Sequence, residues 1–179
     1  MIDSILPVFV LPGKILFTVI PNEASSSESV FDQLAMAPRT VFETPNPLIG
    51  KNIADLGPRF PDMSEPYKKE LVQLAKDIAA KNKFDVKEGV YVAVTGPTFE
   101  TRAEYQLIHV LGGDVVGMST VQESIVANHM GLEVFAMSVV TDVGIREEDN
   151  IITHEEVLQA AKEAEPKLAL LFKQLVAAI

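Results

Sequence analysis

Residues 89–120 read GVYVAVTGPTFETRAEYQLIHVLGGDVVGMST, and this stretch decides the fold class. Val90–Thr95 is an unbroken run rich in β-branched residues, which predicts a buried strand. Gly96-Pro97 turns the chain. Thr101–Leu111 has helical spacing, and Gly112 and Gly113 are its stop signals. Asp114–Met118 predicts a second short strand. A strand, a helix and another strand in this order make one α/β unit.

The pattern continues in both directions. Upstream, residues 67–82 place Leu71, Leu74, Ala75 and Ile78 on one face with Lys and Asp opposite, which predicts an amphipathic helix. Residues 45–67 are dense in Pro, Gly and Asn and read as a long ordered loop. Downstream, Thr120–Met130 predicts a helix that Thr120 caps, with Glu123 at the capping-box position. Glu133–Val140 predicts one apolar strand. Thr153 caps a long terminal helix, with Glu156 completing its box. The expected fold is therefore α/β, with a mixed, largely parallel sheet flanked by helices. In such sheets ligands sit at the carboxyl ends of strands. That rule nominates Thr95–Glu100, Val116–Thr120 and Thr141–Ile145.

Residues 1–44 form a different region, apolar at first and then serine-rich at Ser25–Ser27 and Ser29. Ile5–Ile20 is too short and too interrupted by Pro7, Pro12, Gly13 and Lys14 for a membrane span, and lacks the basic start of a secretory signal. It reads as two short strands or a packed extended arm, the alternative being an arm that finds its partner only in an oligomer. The chain has 179 residues, 47% hydrophobic and 22% charged, as an ordinary globular domain does. A net charge of −10 argues against a nucleic-acid surface and against anionic membranes. The absence of cysteine excludes disulfides and thiolate chemistry, and fits a cytoplasmic protein. No metal-ligand spacing is present, so no metal is expected.

Each nominated stretch has chemistry and a plainer alternative. Phe99 beside Glu100 suits a flat heterocycle, with the ring stacking and the carboxylate accepting from N–H donors on its edge. On composition alone a core phenylalanine and a helix-start glutamate are favoured. Gly117 permits close backbone approach, Met118 offers a soft apolar surface, and Ser119 and Thr120 offer hydroxyls at a helix start. The alternative there is a strand end and an N-cap. Thr141 and Asp142 end a strand, and Arg146–Asn150 reads as a candidate lid or a solvated loop. His154 opens the last helix. His109 and His129 are read as structural.

In order, GPTFETRAEY, GDVVGMSTVQESIVANHMGL, SVVTD and THEEVL resemble the trimeric purine nucleoside phosphorylases, as do NPLIGKN and GPRFPDMSEPY in the preceding loop. The resemblance covers roughly residues 45–179. It implies phosphate-dependent cleavage of the purine–ribose bond, with purine nucleoside and phosphate as partners, phosphate as co-substrate and no other cofactor. By the same resemblance Phe99 packs on the purine and Glu100 binds N1–H and the 2-amino group. Val116, Gly117, Met118 and Thr141 line base and ribose, and Ser119 joins the phosphate site. Tyr91 and His154 reach the ribose hydroxyls. Phe60 crosses into a neighbouring subunit's site, which implies a homotrimer. Asp142 stands where the family usually places an asparagine. An ionised aspartate opposes charge leaving onto a 6-oxopurine and suits a 6-amino group or a protonated N7 better. Glu100 and the GMST form favour 6-oxopurines, with adenosine tolerated.

The family's chain is longer. Its glycine-serine phosphate loop, histidine-containing loop and Asn-Ala-Ala-Gly segment have no match in residues 1–44, whose one arginine is Arg39. The expected fold thus lacks the family's N-terminal half. Two functions follow: a phosphorylase acting on purine nucleosides, or a non-catalytic purine-binding or oligomerisation fragment without a phosphate site.

Overall fold

The computed structural model describes residues 9–11, 14–16, 19–21, 46–145 and 153–179. The serine-rich segment, Arg39 and the candidate lid Arg146–Asn150 lie outside the described residues. Seven three-residue strands and four helices follow one another as β1 Phe9–Leu11, β2 Lys14–Leu16, β3 Val19–Pro21, α1 Lys69–Lys81, β4 Tyr91–Ala93, α2 Arg102–Val110, β5 Val115–Gly117, α3 Val121–His129, β6 Glu133–Phe135, β7 Ser138–Val140 and α4 His154–Ala178. Among the described residues pairing is parallel for β2 with β6, β3 with β7, and β4 with β5, and antiparallel for β1 with β2. The described strands pair in three small groups, β1-β2-β6, β3-β7 and β4-β5, and the pairing is mixed and largely parallel, as expected.

Two local expectations change. Residues 133–140 form two strands, because Ala136 and Met137 step the chain from a partner in β2 to a partner in β3. Within residues 5–20 and just beyond, three strands form where two were expected, and β2 and β3 extend the parallel pairing onto β6 and β7.

The core lies between these strands and helices α1 and α4. Leu71, Ala75 and Ile78 of α1 meet Leu168, Leu171, Phe172 and Leu175 of α4 over Phe135 and Met137. The Phe135 and Phe172 rings sit 6.0 Å apart at 53°, within the range of favourable tilted aromatic pairs. Helix α4 runs through Pro166, which is exposed and so clears the core face. Thr153 caps α4 with Glu156 in the expected box, and Thr101 caps α2 with Glu104 in a second one.

The long loop before α1 is ordered by its own polar contacts. Arg59 donates to the carbonyls of Leu48 at 2.9 Å and Gly50 at 3.0 Å. Asn52 donates to the Gly57 carbonyl and meets the buried His129 ring at 3.1 Å. His129 therefore has the structural role its sequence context suggested, whereas His109 is exposed in the last turn of α2.

Tyr67, at the end of this loop, is buried and shares a hydrogen bond of 3.1 Å with the buried Ser124 hydroxyl. Burial pushes its phenol up to about 12, against the bond to Ser124. The unfolded chain therefore loses this proton first as pH rises. The contribution is complete below pH ~10, declines between ~10 and ~12, and is gone above, with a total of roughly 2–3 kcal/mol. Urea unfolding at pH 8, 10 and 11.5 is expected to show this decline, shallower in Tyr67→Phe. Equal slopes in the two proteins would remove Tyr67 as its source.

Candidate functional site

The pairing of β4 with β5 builds the centre of the site. Tyr91 stands opposite Val115, Val92 opposite Val116, and Ala93 opposite Gly117. The Val94 amide donates to the Gly117 carbonyl at 2.9 Å, which carries the ladder into the turn that follows. Beyond it Gly96 adopts φ +64, and the Gly96–Pro97 peptide is cis. The two strand ends touch there: a Cβ on Gly96 would lie 3.0 Å from Met118 Cε and closer still to Sδ. TGPTFE and GMST, separate in sequence, thus share one edge. Phe99 and Met118 both keep close to half their surface open there, at 48% and 40%, and Glu100 is half-buried. Val116 and Gly117 are half-buried beneath them.

Tyr91 is the buried member, 6% exposed. Its ring runs along β5, and a Cβ on Gly117 would lie 3.0 Å from its Cζ and closer still to its hydroxyl. Only glycine allows that approach. Burial raises the phenol's pKa, opposed by the nearby hydroxyl and amide of Ser119 and the Thr120 hydroxyl. Tyr91, expected at the ribose, thus has its hydroxyl beside the GMST segment. Leu48 and Met63 of the long loop pack on the same cluster with Val121 and Ile125.

Thr120 does not cap α3 as its sequence predicts: no side-chain cap bond forms. Its φ is +73 and ψ −46, and the Val121 amide donates to the Ser119 carbonyl at 2.8 Å. This is a positive-φ γ-turn on a β-branched residue, a strained arrangement. Thr120 is buried, with its hydroxyl 3.3 Å from that of Ser119 and in contact with Tyr91. Strain of this order, about 1–3 kcal/mol, persists only where surrounding contacts impose it, and it concentrates at functional sites. Sequence reasoning missed this turn, because Thr-x-x-Glu reads identically in all three helices.

The third stretch packs on α2, the helix that follows Glu100. Thr141, Asp142 and Gly144 are half-buried after β7, and Gly144 lies directly against the ring of Tyr105. Neither Tyr105 nor Gly144 stood out in the sequence as a site residue. Phe60 and His154 are not drawn in by any described contact. Phe60 is 88% exposed, with the Arg59 guanidinium 5.8 Å from its ring centre. His154 is exposed at the first turn of α4. Among the described residues no group of three His, Asp or Glu side chains is arranged to hold a metal ion, and no helix is long and apolar enough to cross a membrane.

A sequence model described as the Phosphorylase superfamily matches residues 19–177. The chain belongs to the phosphorylase superfamily. Within that superfamily it is similar to purine nucleoside phosphorylase 1 of Geobacillus stearothermophilus, at 50% identity over 131 residues, covering 73% of this chain and 48% of the relative. It is also similar to purine nucleoside phosphorylase 1 of Bacillus subtilis, at 40% identity, covering 89% and 60%. Among solved structures, the Schistosoma mansoni purine nucleoside phosphorylase in complex with inosine superposes with a TM-score of 0.80 at 32% identity, covering 93% of this chain and 62% of that one. This superfamily member therefore spans about half the length of the curated relatives it matches.

Proposed function

We propose that this chain recognises purine nucleosides and takes part in their phosphorolysis to free base and ribose or deoxyribose 1-phosphate. What supports this reading above all is the contact of Met118 with Gly96, which sets a half-exposed aromatic ring and a carboxylate beside a hydroxyl-bearing turn. The similarity to purine nucleoside phosphorylases supports it independently.

In the reaction a phosphate oxygen bonds to the anomeric carbon. The carbon–nitrogen bond breaks with its electron pair going to the purine, which takes up a proton. Phosphate is the co-substrate, and no other cofactor enters. Phe99 stacks on the base and Glu100 accepts from its N1–H edge. Met118 and Val116 line base and ribose with Gly117 and Thr141, Ser119 faces the phosphate, and His154 the ribose. Asp142 stands at the opposite edge of the base, where charge develops in the transition state. Residues 45–179 form the purine-recognising unit. Phe60, exposed on its loop, completes a neighbouring site in a homotrimer, in the cytoplasm.

Phosphate-dependent release of hypoxanthine from inosine by the purified chain, against a phosphate-free control, tests the reaction. Turnover only with phosphate is the expected result. Asp142→Asn is expected to lower the turnover of adenosine relative to inosine, and an unchanged ratio would remove Asp142 from base selection. The second reading, a purine-binding fragment without catalysis, is favoured by the share of its relatives that the chain spans. Hypoxanthine binding without turnover would establish it.

A further inference from the structure

Helix α2 starts directly after Glu100, and its first turn is closed from both ends. The Thr101 amide donates to the Glu104 carboxylate at 2.6 Å, and the Glu104 amide donates to the Thr101 hydroxyl at 3.3 Å. Glu100 is therefore carried by a helix start of fixed geometry. Tyr105 is the next residue of that helix. Its half-buried ring lies on the chain leaving β7, where a Cβ on Gly144 would meet Tyr105 Cγ at 2.7 Å and Cδ1 and Cε1 closer still. Gly144 follows Asp142 by two residues. A tyrosine ring and a residue with no side chain thus fill one volume, and any larger residue at 144 would displace the loop.

From this contact we infer that Tyr105 is a positioning residue for base selection, holding the Asp142 loop at a set distance from Glu100. The inference rests on the purine-binding reading above. The two carboxylates address opposite edges of one flat base, so their separation decides which exocyclic groups fit between them. A small displacement of one loop changes the balance between a 6-oxo and a 6-amino purine without removing the stacking surface. The contact with Gly144 is made by ring carbons, which Tyr105→Phe retains.

The test is calorimetric titration of the full chain with hypoxanthine and with adenine, for the wild type, Tyr105→Phe, Tyr105→Ala, Gly144→Ala and the double variant Tyr105→Ala/Gly144→Ala. Tyr105→Phe is expected to keep the ratio of the two dissociation constants within twofold. Tyr105→Ala, which leaves a void, and Gly144→Ala, which drives a methyl group into the ring, are each expected to shift it at least fivefold. The double variant is expected to return part of that shift, because the methyl group then enters the void. An unchanged ratio in both single variants overturns the inference, and so does equal weakening of both ligands, which is what a merely structural role produces. If Gly144→Ala does not fold, Tyr105→Ala and Tyr105→Phe decide by the same criteria. A wild-type chain that binds neither purine fails earlier and overturns the purine reading itself, together with this inference.

Discussion

Phe172→Ala is expected to lower the unfolding free energy by about 3–5 kcal/mol, the range for truncating a fully buried aromatic. Phe172 is 1% exposed and lies between the equally buried Leu171 and the core face that includes Leu175. Its ring packs on Phe135 of β6, so one side chain ties α4 to the strand that carries the chain toward β7 and the Asp142 loop. Truncation removes the transfer free energy of the ring and leaves a cavity that two packed helices cannot readily close. Set against a total stability of about 5–15 kcal/mol for a domain, this is a large fraction. Urea unfolding followed by circular dichroism measures it. A loss below about 1 kcal/mol would show that the α1–α4 layer collapses into the space, and that the Phe135–Phe172 pair does not anchor it.

The second large effect concerns recognition. Glu100→Ala is expected to weaken hypoxanthine binding on the order of a hundredfold while leaving the melting temperature within a degree or two. Charge-assisted hydrogen bonds contribute about 1.5–3 kcal/mol each, and in the proposed reading the carboxylate accepts from ligand N–H groups that its loss would leave unpaired. The side chain is half-buried and lies outside the core clusters, so stability does not depend on it. Glu100→Gln should recover part of the affinity, since its amide oxygen still accepts while its nitrogen opposes a ligand donor. Titration of the purified variants settles the matter: weakening of less than threefold in a folded Glu100→Ala protein would remove this residue from the base edge.

Much of this was legible from local signals. The apolar face of α1 is a spacing pattern, and its buried residues Leu71, Ala75 and Ile78 are those the period selects. The stop glycines after α2 and the Thr153–Glu156 box act within one or two turns of chain, so neighbouring residues suffice to specify them. Strand lengths were less legible. Residues 133–140 form one apolar run, yet they divide at Ala136 and Met137 because their partners are two separate short segments far earlier in the chain. Pairing partners are non-local, and nothing within the run marks the division.

Local sequence signals specify the α/β class, the four helices and the strand ends that carry aromatic, carboxylate and hydroxyl groups, though not the division of the apolar runs into strands. These depend on hydrophobic period, on turn residues and on capping pairs, all of which act over a few residues. How those groups meet depends on packing between segments far apart in the chain. That packing set Thr120 in a positive-φ turn with no cap bond, next to the strand where Tyr91 closes on Gly117, an arrangement that pairing across β4 and β5 creates and no local pattern marks. It also laid Tyr105 on Gly144, a contact set by how helix α2 sits on the sheet, which no local preference of either residue encodes.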